Sequence, residues 1–117
     1  MIPVAIDERD DGVTVVSPAG RLTIGPALEE LAEAVASAIR GDVPMVVMDL
    51  GRVTYVDSAA LGEIVAARRR VLEAGGAFAL ARPRGKVRDL VELTRLGDLV
   101  TVRESLPEAV RAVRGAS

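Results

Sequence analysis

An aspartate, a serine and a run of small residues stand together in YVDSAALGEIV, residues 55–65. Asp57 and Ser58 close an apolar run, and Leu61, Ile64 and Val65 open a helical spacing, so the pair falls where a strand hands over to a helix. A hydroxyl in that place could attack a substrate, cap the helix, or be modified by another protein. Ala59, Ala60 and Gly62 leave it reachable by something large.

Nucleophilic catalysis fails on the residues present. A nucleophile elbow has the form G-x-S-x-G, whereas Val56 and Ala60 flank Ser58 here, and a Ser-His-Asp triad needs a histidine that the chain lacks. An aspartyl phosphoacceptor site needs an acidic pair after the first strand of a parallel sheet and a lysine after the last. Asp10 and Asp11 sit in a hairpin turn, and Lys86 lies before the last strand. A nucleotide loop is equally poor, because Leu80 stands where G-x-x-x-x-G-K needs glycine and Val87 replaces the hydroxyl residue. No residue is assigned a catalytic role, and no activity is expected.

Two readings of Ser58 survive. It suits an N-cap, with its hydroxyl accepting from an orphan backbone N–H. It also suits modification, since a phosphate adds a charge of about −1.5 to −2 where helix N–H groups can receive it.

Composition narrows the partners and cofactors. The 117 residues fit one domain, residues 1–117, and half of them are hydrophobic, which excludes a disordered chain. With no cysteine and no histidine, disulfides, thiolate chemistry and the commonest metal ligands are absent, so neither cofactor nor metal is expected. A net charge of −2 and two aromatic residues, Tyr55 and Phe78, argue against direct nucleic-acid binding. Arg68, Arg69 and Arg70 fit a solvated helix face. No apolar run is long enough for a membrane span, and MIPVAIDERDD lacks the form of an export signal, so a cytoplasmic location without membrane insertion is expected.

The elements that must position Ser58 follow from patterning. Val4–Ile6 and Val13–Val16, separated by a turn ending at Gly12, predict an antiparallel hairpin. After a turn at Gly20-Arg21-Leu22, Pro26 suits the first turn of a helix bearing Leu28, Leu31, Val35, Ala38 and Ile39, ended by Gly41. Met45–Met48 and Ala77–Ala81 are uninterrupted apolar runs, the pattern of strands covered on both faces. Between them lies the helix that begins at Ser58, stopped by Gly75-Gly76. Pro83 opens a helix with Val87, Leu90, Val91 and Thr94 inward and Gly97 as its stop. Leu99–Val102 is a short strand, and Ser105 to Glu108 has capping-box form before a last helix. The order ββαβαβαβα predicts an α/β domain: a mixed, mostly parallel sheet of four to five strands flanked by about four helices, with an antiparallel first strand.

The stretch DLGRVTYVDSAALGEIV, residues 49–65, resembles the signature of STAS domains, specifically bacterial anti-sigma factor antagonists. The resemblance extends to the leading hairpin, Gly20-Arg21-Leu22, the Gly75-Gly76 pair and the spacing Val87-Leu90-Leu93-Leu96. It implies a non-enzymatic protein that binds an anti-sigma factor, a serine kinase of the GHKL type, and so releases a sigma factor. It further implies that this kinase phosphorylates Ser58 and that a phosphatase reverses the mark. Asp57 would then orient the hydroxyl, and Thr23, Asp57, Ser58, Ala59, Leu61 and Gly62 would line the partner contact. Thr23 stands where members often carry aspartate, and Ala60 where glycine is common. A scaffold or accessory subunit of a stress-signalling or lipid-transport complex, with Ser58 never phosphorylated, is the other role the resemblance allows.

Overall fold

The structure, a computed structural model, describes residues 4–41 and 43–115 of the 117. Its elements run β1 (Val4–Glu8), β2 (Val13–Leu22), α1 (Pro26–Ala38), β3 (Met45–Asp49), β4 (Arg52–Val56), α2 (Ser58–Glu73), β5 (Ala77–Ala81), α3 (Gly85–Leu93), β6 (Thr101–Arg103) and α4 (Leu106–Arg114). The sheet order is β1-β2-β3-β5-β6, with β1 antiparallel to β2 and the other pairs parallel. Strands β2, β3 and β5 therefore lie side by side at the centre of the sheet.

Alternate residues of the central strands serve two cores. Val46 and Met48 face the larger core, shared with Leu31 and Val35 of α1, Ile64 and Val71 of α2, and Val87 and Val91 of α3. Val47 points the other way, into a smaller core closed by Ala109, Val110 and Val113 of α4. This double coverage explains why Met45–Met48 shows no polar alternation. Burial of a side chain such as Met48 or Leu80 contributes about 1.5–3 kcal/mol.

The sheet holds six strands rather than four or five. The additional one, β4, follows β3 after the short turn at Leu50 and Gly51, where the Val53 N–H donates to the Leu50 carbonyl at 3.0 Å. It pairs in parallel with the far half of β2, Ala19 to Leu22, while β3 pairs with the near half, Val13 to Val16. Gly20-Arg21-Leu22 is thus strand and not turn. Gly20 takes φ +84° at the point where the register shifts, a conformation glycine adopts without steric cost.

Two boundaries also move. Helix α3 starts at Gly85, after Pro83, which is buried, and Thr94 is exposed rather than inward, as is Leu93. A 3₁₀ turn over Leu96–Asp98 holds the N–H groups of Leu99 and Val100, so the last strand begins at Thr101. Ser105 caps α4 as the sequence suggested, its hydroxyl accepting the Glu108 N–H at 3.2 Å and donating to the Glu108 carboxylate at 2.8 Å. Among the described residues no helix is long and apolar enough to cross a membrane.

Candidate functional site

Strands β2 and β4 end side by side, Leu22 opposite Val56, and both side chains enter the core. The chain then diverges: β2 runs into the loop Thr23–Gly25 before α1, and β4 runs through Asp57 into α2. Asp57 ties the two exits together. Its N–H donates to the Leu22 carbonyl at 3.2 Å, and its Oδ2 accepts the Ile24 N–H at 2.9 Å. Its Oδ1 accepts the Ala60 N–H at 2.8 Å, which makes Asp57 the N-cap of α2, with extended backbone at φ −101° and ψ −178°. The N–H groups of Ile24, first, and of Ala60 hold this carboxyl below the ordinary carboxylate range.

The cap expected at Ser58 is therefore supplied one residue earlier. Ser58 is the first residue of α2, exposed, and its hydroxyl has no hydrogen-bond partner among the described residues. The Asp57 carboxylate spends its bonds on backbone N–H groups rather than on that hydroxyl. A carboxylate outcompetes a hydroxyl as acceptor for an N-terminal N–H because the bond is charge-assisted.

Around Ser58 the other sequence-predicted residues gather as follows. Thr23 is half-buried between Leu22, whose carbonyl accepts the Asp57 N–H, and Ile24, whose N–H donates to the Asp57 carboxylate. Ala59 and Leu61 are half-buried on the first turn of α2, and Gly62 is exposed, with open space where a Cβ would sit. Three residues not expected from the sequence join them. Ile24 is 79 % exposed at the loop tip, a large apolar side chain in water. Arg21 is exposed, and its guanidinium lies 4.5 Å from the centroid of the Tyr55 ring. The sequence signal for them was position alone: each lies within three residues of a motif residue.

This end of the molecule presents a helix start made of small residues. Among the described residues no group of acidic side chains could hold a metal ion. A separate cleft of about 430 Å³ between α3 and β6 is rimmed by Arg88, Glu104, Arg95 and Asp98, whose charges pair with one another.

The family model for the STAS domain matches residues 5–109. A candidate anti-sigma factor antagonist from Thermotoga maritima is 37 % identical over 65 residues, a stretch covering 56 % of this chain and 58 % of that protein. The match thus spans little more than half of that relative. The crystal structure of an anti-sigma factor antagonist from Mycobacterium paratuberculosis superposes with a TM-score of 0.81 at 28 % identity, covering 97 % of this chain and 95 % of that one. The phosphorylated form of the Bacillus cell fate determinant SpoIIAA superposes with a TM-score of 0.70 at 20 % identity, covering 95 % and 99 %, a likeness of fold.

Proposed function

The chain belongs to the STAS domain family, and from that premise we propose that it is an anti-sigma factor antagonist whose binding surface is the exposed start of α2. In this reading it binds an anti-sigma factor that is itself a serine kinase of the GHKL type, and the sigma factor held by that kinase is released. The protein acts by docking and catalyses nothing. Phosphorylation of Ser58 by the kinase ends the interaction, and a phosphatase restores it.

The observation that carries the reading is the division of labour between Asp57 and Ser58. Asp57 performs the structural task of capping α2 and fastening the Thr23–Gly25 loop, which leaves the Ser58 hydroxyl exposed and free of any bond the fold depends on. A phosphate there adds about −1.5 to −2 charges at the positive end of a helix, which the fold accommodates while the docking surface changes sign. Names carried by the Thermotoga and Mycobacterium relatives support the same role.

The test is phosphate transfer. Each serine-kinase anti-sigma factor encoded in the same genome is purified and incubated with this chain and ATP, and the products are mapped by mass spectrometry. A single phosphate on Ser58, absent from Ser58→Ala, is expected. Stable binding without transfer by any of the kinases would favour the scaffold role instead.

A further inference from the structure

Arg21 lies one strand across from Tyr55, in the pair of strands that leads directly to Ser58. Leu22 and Val56 next in register turn into the core, so the exposed Arg21 side chain lies outside it. The guanidinium rests 4.5 Å from the Tyr55 ring centroid, a cation–π contact that fixes its direction. Among the described residues it has no carboxylate partner and no hydrogen bond.

Charged residues are few in the stretches that lead to this end, with Glu29, Arg52 and Glu63 standing at their borders. In the two segments that build this end, residues 19–28 and 53–62, the charged side chains are Arg21 and Asp57. Both Asp57 oxygens are occupied by the backbone N–H groups of Ile24 and Ala60. A chain of net charge −2 thus presents a cation without a carboxylate partner among the described residues, held over a ring on the strand pair that runs into its proposed docking surface, three residues before the exposed Ile24. A planar guanidinium fixed on a ring loses little freedom on pairing, and its fork matches a carboxylate.

We propose that Arg21, held over Tyr55, is a specificity-determining contact that pairs with a carboxylate on the surface of the partner protein. It rests on the function proposed above and names the chemistry that the partner must present. Partners carrying a cation at that place are rejected, because like charges brought together in an interface are costly.

Binding of the purified anti-sigma factor kinases to the full chain, measured by calorimetry with ADP at low and high salt, tests it. Arg21→Gln should weaken the unmodified complex about tenfold and flatten its salt dependence, and Arg21→Glu should weaken it by about a hundredfold. A Glu→Arg or Asp→Arg exchange on the partner should recover binding to Arg21→Glu. Thermal melting shows that both variants fold. Ser58→Glu is the control that separates the two ideas. If Ser58→Glu loses binding while Arg21→Glu keeps it, the Arg21 contact is overturned and the docking function stands. If none of the kinases binds the unmodified chain, both fall. An effect of Arg21→Gln confined to the Ser58-phosphorylated chain would make Arg21 a partner of the phosphate and would also overturn the proposal.

Discussion

Asp57 and Ile24, 33 positions apart, are joined by one hydrogen bond of 2.9 Å from the Ile24 N–H to the Asp57 carboxylate. That bond locks the loop after β2 to the start of α2. Replacing Asp57 by Ala removes it together with the cap on the Ala60 N–H, so melting should occur several degrees lower and amide exchange at Ile24 and Ala60 should rise. Asp57→Asn isolates the charge. The folded-state pKa lies below the unfolded value, so the stabilising contribution is fully present above about pH 4 and disappears as pH falls through the depressed value. The stability gap between wild type and Asp57→Asn should therefore be constant near neutrality and shrink in acid. A gap independent of pH down to the acid limit would mean that the charge plays no part.

How much of this was legible beforehand differs between layers. The hairpin was visible from its β-branched runs about the turn at Gly12, β3 and β5 from their uninterrupted apolar runs, and the helix at Ser58 from its apolar spacing. Strand β4 was not counted. Arg52 to Val56 follow β3 without a crossover, and pairing with the far half of β2 depends on β2 being ten residues long, which no local pattern reveals. Leu93 continues the three-residue spacing Val87-Leu90 yet is 80 % exposed, because each step of three falls short of a full turn of the helix and by Leu93 the side chain has left the buried face. At the site the cap was read at Ser58, and the structure gives it to Asp57, which keeps extended backbone where β4 ends. Sequence misplaced the cap by one residue because it rests on where β4 ends, and β4 itself was not seen.

Gly62 lies in the interior of α2, exposed, with nothing near the position of a Cβ. Gly62→Ala should raise stability by about 0.5–1 kcal/mol through helix propensity, seen as a higher urea midpoint with an unchanged slope. The added methyl stands on the proposed docking surface, so affinity for the anti-sigma factor should drop while stability rises. A rise in both would place Gly62 outside the contact.

Gly76 is needed for a different reason. A Cβ there would lie 1.9 Å from the Pro44 carbonyl oxygen, inside the chain leading to β3. Gly76→Ala should cost about 3 kcal/mol or more, because backbone must move to admit it. Gly75 has open space but φ +83°, so Gly75→Ala should cost less, about 1–2 kcal/mol. Urea denaturation of the two variants should show that order.

Asp49, 7 % exposed, is held by Arg82 through two bonds, Nε to Oδ1 at 3.0 Å and NH2 to Oδ2 at 2.9 Å, and also accepts the Gly51 N–H at 2.9 Å. Arg82→Ala leaves that buried carboxylate unpaired and should destabilise by about 3 kcal/mol. Arg82→Lys should recover only part of it, since an ammonium cannot make the paired fork. Because the same pair anchors the ends of β3 and β5, chemical denaturation of the Arg82→Lys variant should remain cooperative.

Ser58 gives the sharpest contrast between stability and binding. Its hydroxyl makes no hydrogen bond among the described residues, so Ser58→Ala should shift stability by no more than about 0.5 kcal/mol. Ser58→Glu puts an acid in the first turn of α2, where the helix dipole favours it by about 0.3–1 kcal/mol. Neither change harms the fold, which removes the usual reason for lost binding. The two should nonetheless separate when a cognate anti-sigma factor kinase is titrated in the presence of ADP. Alanine keeps the surface small and neutral and should bind as wild type does, whereas glutamate brings charge and bulk to a contact shaped for the unmodified serine. A loss of tenfold or more, equivalent to about 1.4 kcal/mol, is expected for Ser58→Glu alone. Equal affinity of the alanine and glutamate forms would leave Ser58 without a switching role, and the protein would then bind its partners as a scaffold.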